Sequence, residues 1–292
     1  MNCPVCNHSN PQIAIESQDF SLTQTSFTIL HCTHCSVRFT SPLPNQDEIG
    51  QYYQFEAYIS HTDVKEGWMN RLYHFVRART LTQKTNWIQS LFTGHKGHLL
   101  DIGAGTGDFL LTAKQNGWNT IGVEPSEKAK GIAIGKGIKF SNSTNELESN
   151  SFDVITMWHV LEHVPNLDLQ IKELKRLIKP NGTIIIAVPN FKSYDAKYYG
   201  KFWAAFDVPI HFWHFSKTAI KLLFEKENVK LEKVLPMKFD SFYVSLLSEK
   251  YKNGKMNFVK AIWIGLLSNI KANRSSEHSS HIYVLKNNEK AI

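Results

Sequence analysis

Between His98 and Asn190 the apolar positions alternate between two rhythms. Short runs rich in β-branched residues, HLLDIG from His98, NTIGV from Asn119, FDVITMW from Phe152 and GTIIIAV from Gly182, have the length and composition of strands. Between them lie stretches of helical period. DFLLTAKQNGW is closed by Gly117, and EKAKGIAIGKG follows the second strand. In NLDLQIKELKRLIK, Leu167, Ile171, Leu174 and Ile178 form one stripe, stopped by Pro180 and Gly182. GTIIIAV is apolar on both faces, as in a central strand covered on both sides. Strand–helix alternation of this kind predicts an α/β fold with a parallel sheet and helices on both faces. Ligands in such sheets bind beyond the carboxyl ends of the strands.

Upstream the pattern differs. Residues 45–92 carry helical spacing, as in Leu72, Phe75, Val76, Arg79 and Gln83, and residues 41–95 are read as a helical cap. Residues 1–40 read as a small ribbon, a polar hairpin between two turns, with Pro42 and Pro44 marking its end. Every cysteine of the chain falls here: Cys3, Cys6, Cys32 and Cys35, two C-x2-C pairs. Such pairs put two thiolates on one tight turn, and two turns complete the tetrahedral sulfur set that zinc prefers. A zinc-ribbon-like module with structural zinc is therefore expected. His31 and His34 flank the second pair and are read as exposed loop residues rather than ligands. No apolar leader opens the chain, and the longest late apolar run, FVKAIWIGLLSNI, is interrupted by Lys260 and too short to span a bilayer. A cytoplasmic protein with no membrane span is expected. The net charge of +7 admits an anionic partner such as nucleic acid, but Lys and Arg are scattered along helical segments, as on solvated faces.

The turn after the first strand of the alternating region reads D-x-G-x-G-x-G, from Asp101 to Gly107, followed by Asp108. A dinucleotide turn needs a glycine where Asp108 stands, and a carboxylate there opposes an incoming pyrophosphate. A ligand without phosphate fits better. Glu124 ends the second strand, where a carboxylate can accept two hydrogen bonds from a ribose.

This turn, GVEPS with Glu124, FDVITMWHVLEHVPN and IKPNGTIIIAVPN together resemble class I S-adenosylmethionine-dependent methyltransferases. WHVLEHV with DVPIHFWHFS resembles the branch that includes ubiquinone-biosynthesis O-methyltransferases. The resemblance implies a Rossmann-like fold with a mostly parallel seven-stranded sheet over residues 96–292, with S-adenosylmethionine as cofactor. It implies a binding site made of Asp101, Gly103, Ala104, Gly105, Gly107, Asp108, Glu124 and Pro125, with His159 lining the cofactor. Asn142 or Ser143 stands where the family usually has an acidic residue at the adenine, and Ser143 is counted with the cofactor residues.

The acceptor is constrained by what is missing. The Asn/Asp-Pro-Pro-aromatic turn of amine methylators is replaced by MWHV, and no cysteine after Cys35 could serve covalent pyrimidine chemistry. That leaves oxygen, a simple nitrogen or an activated carbon; a small-molecule acceptor methylated at oxygen is the expectation that the resemblance implies. His163, His211 and His214 are the candidate bases, the last two on one face if DVPIHFWHFS forms a helical turn. The dense aromatics of YYGKFWAAFDVPIHFWHF suit either a lid or core packing. An RNA-base methyltransferase and a non-catalytic cofactor-binding protein with a partner-docking ribbon are the alternatives.

Overall fold

The computed structural model describes residues 1–44, 49–50, 52, 81–90 and 96–288. Of the expected helical cap, residues 81–90 are helical, while most of 45–92 lies outside the described residues. The backbone forms two compact units: Met1–Phe55 with His159–Lys172 and Ile186–Leu285, and Glu56–Trp158 with Glu173–Ile185 and Lys286–Ile292.

In the second unit, β4 (His98–Ile102) pairs in parallel with β5 (Asn119–Val123) and with β7 (Phe152–Trp158), and β5 pairs in parallel with β6 (Lys139–Ser141). β4 is central because four of its five residues are buried, with Leu99 and Leu100 fully covered. Helix α1 (Asp108–Gln115) buries Phe109, Leu110 and Ala113, and α2 (Glu127–Gly135) begins where the Ser126 hydroxyl accepts from the Ala129 N–H. The chain continues through α3 (Leu167–Leu177) and β8 (Ile178–Pro189). The helix therefore stops one residue before the predicted stripe ends, and Ile178 opens the strand. Pro180 disfavours helical geometry at the residue before it, so the helix cannot run on to Gly182.

The first unit carries a four-stranded sheet of order β1-β2-β3-β9, from β1 (Gln12–Gln18), β2 (Ser26–His31), β3 (Arg38–Ser41) and the two-residue β9 (Trp213–His214). All three pairings are antiparallel. The ribbon hairpin of the sequence thus gains a fourth strand from a segment more than 170 residues downstream. Phe27 and Ile29 of the ribbon share one apolar cluster with Phe191, Trp203, Phe206 and Ile264. The aromatic-rich segment is core: Tyr199, Trp203, Phe206, Phe212, Trp213 and Phe215 are all buried. This unit also holds α4 (Tyr194–Tyr199), α5 (Lys217–Glu225), β10 (Val229–Pro236), α6 (Asp240–Asn253), α7 (Phe258–Ser275) and most of β11 (Ser280–Asn287).

The large sheet is the expected mostly parallel, seven-stranded, Rossmann-like sheet, with strand order β10-β11-β8-β7-β4-β5-β6. β4 sits beside both β5 and β7, so the order reverses there, the kind of place where α/β sheets hold their ligands.

Candidate functional site

The loop after β4 is built by backbone conformation. Gly103, Gly105 and Gly107 have φ of 73°, 52° and 75°, the left-handed region open chiefly to glycine. They do different work. A Cβ on Gly107 would lie 2.7 Å from the Ala133 Cβ, so this glycine lets α1 approach α2; a Cβ on Gly105 would meet only open space. The Gly105 N–H donates to Glu124 Oε2 at 2.8 Å, and the Ser126 N–H donates to Glu124 Oε1 at 2.9 Å. Two backbone donors therefore fix the Glu124 carboxylate, leaving its other lone pairs for a ligand. Pro125, between Glu124 and Ser126, lacks an N–H, so Ser126 supplies the second donor.

Asp101 is buried at 2 % exposure and accepts from the Thr156 hydroxyl at 2.5 Å. Burial pushes its carboxyl up to about 7, against the lowering influence of Thr156 and Lys84. The Lys84 ammonium sits 4.1 Å above the Trp158 ring. Asp108 lies in the first turn of α1, where the helix dipole favours it, and pairs with Lys136 at 2.5 Å. Its charge is thereby largely answered within the protein. Ala104 lies at the tight centre of the loop, nearly buried. Ser143 precedes a 3-10 turn (Thr144–Glu146), its carbonyl accepting from the Ser141 hydroxyl. The Asn142 side chain is engaged by Lys130 at 2.8 Å.

Past β7 a second group of residues assembles in the first unit. His159 adopts φ 57° and its ring lies between two carboxylates, with Nε2 3.1 Å from Asp240 Oδ2 and Nδ1 3.4 Å from Glu162 Oε1. Burial opposes its protonation, but the two carboxylates outweigh burial and raise its pKa to about 10. Glu162 is fully buried, and neither carboxylate oxygen has a hydrogen-bond partner. His163 and His211 stack edge to face, ring centres 4.5 Å apart. Each turns Nδ1 to a backbone carbonyl, His163 to Ile210 at 3.1 Å and His211 to Ala205 at 3.0 Å. Since a carbonyl only accepts, Nδ1 carries the proton in both rings and Nε2 is left as a lone-pair donor. Burial holds both imidazoles below their ordinary pKa, hence neutral. One ligating atom from each of Glu162, His163 and His211 fits within 4.8 Å of the others, a donor set able to hold a divalent cation. Asp207, with φ 38°, faces His211 Nε2 at 4.0 Å, and burial raises its carboxyl to about 7.

His214 stands apart from this group. The segment is not a helical turn: Trp213–His214 is a strand paired with β3, Arg38 opposite His214. The Thr40 hydroxyl donates to the His211 carbonyl at 2.6 Å, so it accepts from His214 Nε2 at 3.2 Å. Burial, helped by Arg38, lowers the His214 pKa to about 3.

The cysteines close into one cluster. Cys3 Sγ lies 3.7 Å from Cys35 Sγ and Cys6 Sγ 3.5 Å from Cys32 Sγ, all as free thiols. Four sulfurs tetrahedrally placed around zinc would lie about 3.8 Å apart, so the set fits the ion. The two turns repeat each other. The N–H of Asn7 donates to the Cys3 carbonyl and that of Ser36 to the Cys32 carbonyl, at 2.9 Å each, and these residues have φ of 58° and 59°. Backbone N–H groups aimed at Cys32 overcome its burial and lower its pKa to about 7. His31 and His34 do not join the cluster. Beside it opens a cavity of about 220 Å³ lined by Pro4, Val5, Pro165, Trp213, Leu223 and Lys226, among others. Leu167 and Ile171 of the predicted helical stripe also line it, but none of the candidate cofactor, metal or catalytic residues does.

Sequence reasoning missed Thr156, Asp207, Glu162 and Asp240. Glu162 was within reach, one residue before His163 in the quoted turn. Asp240 had no local signal, being 81 positions from its partner His159.

A family profile described as a methyltransferase domain matches residues 68–234, more than half of the chain. The ubiquinone biosynthesis O-methyltransferase of Azoarcus sp. (strain BH72) is 30% identical over 127 residues, covering 38% of this chain and 53% of that protein. The enzyme of the same name from Coxiella burnetii (strain Dugway 5J108-111) is 28% identical over 155 residues, covering 48% and 64%. The chain thus spans between half and two thirds of the length of these relatives. Among solved structures, a methyltransferase from Thermotoga maritima matches with TM-score 0.50 and 20% identity over 71% of this chain and 89% of that one. One from Methanosarcina mazei matches with TM-score 0.50 and 15% identity over 70% and 98%. The fold is shared with both. The chain belongs to the methyltransferase-domain family, within the class I S-adenosylmethionine-dependent methyltransferases.

Proposed function

We propose that the protein transfers a methyl group from S-adenosylmethionine to an oxygen atom of a small-molecule acceptor. The observation that carries this reading is the Glu124 carboxylate, fixed by the Gly105 and Ser126 N–H groups and free to accept from ribose hydroxyls. S-adenosylmethionine carries no phosphate, in keeping with Asp108 at the start of α1. Asp101, Gly103, Ala104, Pro125, Ser143 and His159 complete the proposed cofactor residues. The likeness to ubiquinone biosynthesis O-methyltransferases supports oxygen as the accepting atom.

The sulfonium is an activated donor, so the protein has to position the acceptor and take its proton. We assign proton removal to His211 or His163, whose neutral rings keep Nε2 unprotonated. His214 is a weaker candidate, because Thr40 holds its Nε2 and its pKa is near 3. The buried Glu162 carboxylate, which faces the His159 ring through Oε1 but accepts no hydrogen bond at either oxygen, favours a second route, in which a divalent cation held by Glu162, His163 and His211 would lower the pKa of an acceptor hydroxyl. We further propose one structural zinc on Cys3, Cys6, Cys32 and Cys35.

The test is calorimetric titration with S-adenosylmethionine and with a nicotinamide dinucleotide, followed by methyl transfer from labelled cofactor to a panel of phenols and catechols, with and without added divalent cation. Binding of the dinucleotide alone would sink the reading. Transfer to amines and not to hydroxyls would remove oxygen as the accepting atom.

A further inference from the structure

Helix α7 presents its apolar side outward. Val259 is 82 % exposed, Ile262 and Trp263 58 % each, Ile270 52 % and Leu266 42 %. Spaced i, i+3, i+4, i+7 and i+11, they form one continuous stripe. The opposite side, Ala261, Ile264, Gly265, Ser268 and Ala272, is the buried one. Gly265 lets α6 close in, since a Cβ there would lie 2.7 Å from the Phe242 ring. The helix is thus committed to its unit on one side and bare and apolar on the other, where an ordinary surface helix is polar.

Along this stretch of chain the charge has a single sign. No acidic residue occurs from Lys250 to Ser276. Lys250, Lys252 and Lys255 stand exposed before the helix, and Lys271 and Arg274 stand exposed in its last turns. Lys260 is held by the buried Glu249 at 3.4 Å and is left out of this set. An apolar stripe that includes a tryptophan, with cations at both ends, is the pattern of a helix lying in the plane of a lipid surface. Among the described residues no helix is long and apolar enough to cross a membrane.

We propose that the outer face of α7 docks the protein on an anionic phospholipid surface, the stripe entering the headgroup boundary and the flanking cations meeting lipid phosphates. A second copy of the chain is the poorer occupant, because a two-fold contact through this face would bring the same five cations against one another.

The full-length protein is sedimented with vesicles of phosphatidylcholine and with vesicles also containing phosphatidylglycerol. Binding is expected to the second kind, weakening with salt. Ile262→Glu with Trp263→Glu should reduce partitioning roughly tenfold or more, and each of Lys255→Gln and Arg274→Gln about fivefold. These positions are exposed, so S-adenosylmethionine affinity should not change, which checks folding in every variant. Sedimentation with neither vesicle, or undiminished binding of the double Glu variant, overturns the proposal. So does a concentration-dependent dimer in ultracentrifugation that the double Glu variant turns into monomer, which would give the face to a second copy.

Discussion

The N–H of Gly105 donates to Glu124 Oε2 at 2.8 Å, tying the glycine loop to the end of the neighbouring strand. A carboxylate in this position is already oriented before any ligand arrives, which lowers the entropy that binding must overcome. Glu124→Ala should weaken S-adenosylmethionine binding by about 1–3 kcal/mol. Calorimetry checks it, with unfolding temperature as control; unchanged affinity would place the ribose elsewhere.

The loop glycines separate stability from binding. Gly107→Ala sets a Cβ 2.7 Å from that of Ala133 at φ 75° and should destabilise the fold by about 1–3 kcal/mol. Gly105→Ala meets open space and should destabilise by only about 1 kcal/mol, while impairing cofactor binding. Urea unfolding and titration of both variants distinguish the two roles.

The cysteine cluster predicts one zinc per chain in protein purified without added metal. Cys32→Ser should lose it. Because Phe39 pairs with Trp213, chelation should reduce hydrogen-exchange protection in β3 and β9 while β4 and β5 keep theirs. Stoichiometric zinc retained by Cys32→Ser would refute the ligand set.

Acid should destabilise the protein through its buried neutral histidines. The pKa of His214 is lowered to about 3 and that of His281 to about 4, both chiefly by burial. Above pH 6.5 neither state is protonated. Below it the unfolded chain takes up protons that the folded chain refuses, so stability is full above 6.5 and is lost as pH falls towards the folded values. Each group contributes a slope of up to about 1.4 kcal/mol per pH unit. Urea midpoints between pH 7 and pH 5 should fall, and less steeply in His214→Gln; parallel curves would contradict the burial argument.

On the acceptor side, His211→Ala or His163→Ala should lower turnover roughly 100-fold to 10,000-fold if that ring removes the proton. Cofactor affinity should stay within experimental error, since the loop and Glu124 carry it. Full turnover in both variants would leave the proton to water and would also argue against a cation held by these two rings.

The sequence by itself determined the parts whose signal is local. The glycine loop and Glu124 lie within 22 positions of one another, and strand and helix periods place them at adjacent strand ends. Each C-x2-C turn is written in consecutive residues, and the pairing of β1 with β2 follows from one hairpin. Tertiary structure alone decided what depends on residues far apart in the chain. It placed β9 beside β3, so that His214 lies on a strand and does not share a helical turn with His211. It set Asp240 on His159 and Lys136 on Asp108, and it enclosed Glu162 with His163 and His211. Such pairings leave no period in the sequence, because a single strand edge or side-chain contact is chosen by which apolar surfaces close over it. Phe27 and Ile29 meet Trp203 and Phe206 because burying them together removes the most apolar area from water, and the polar partners follow the backbone those contacts fix.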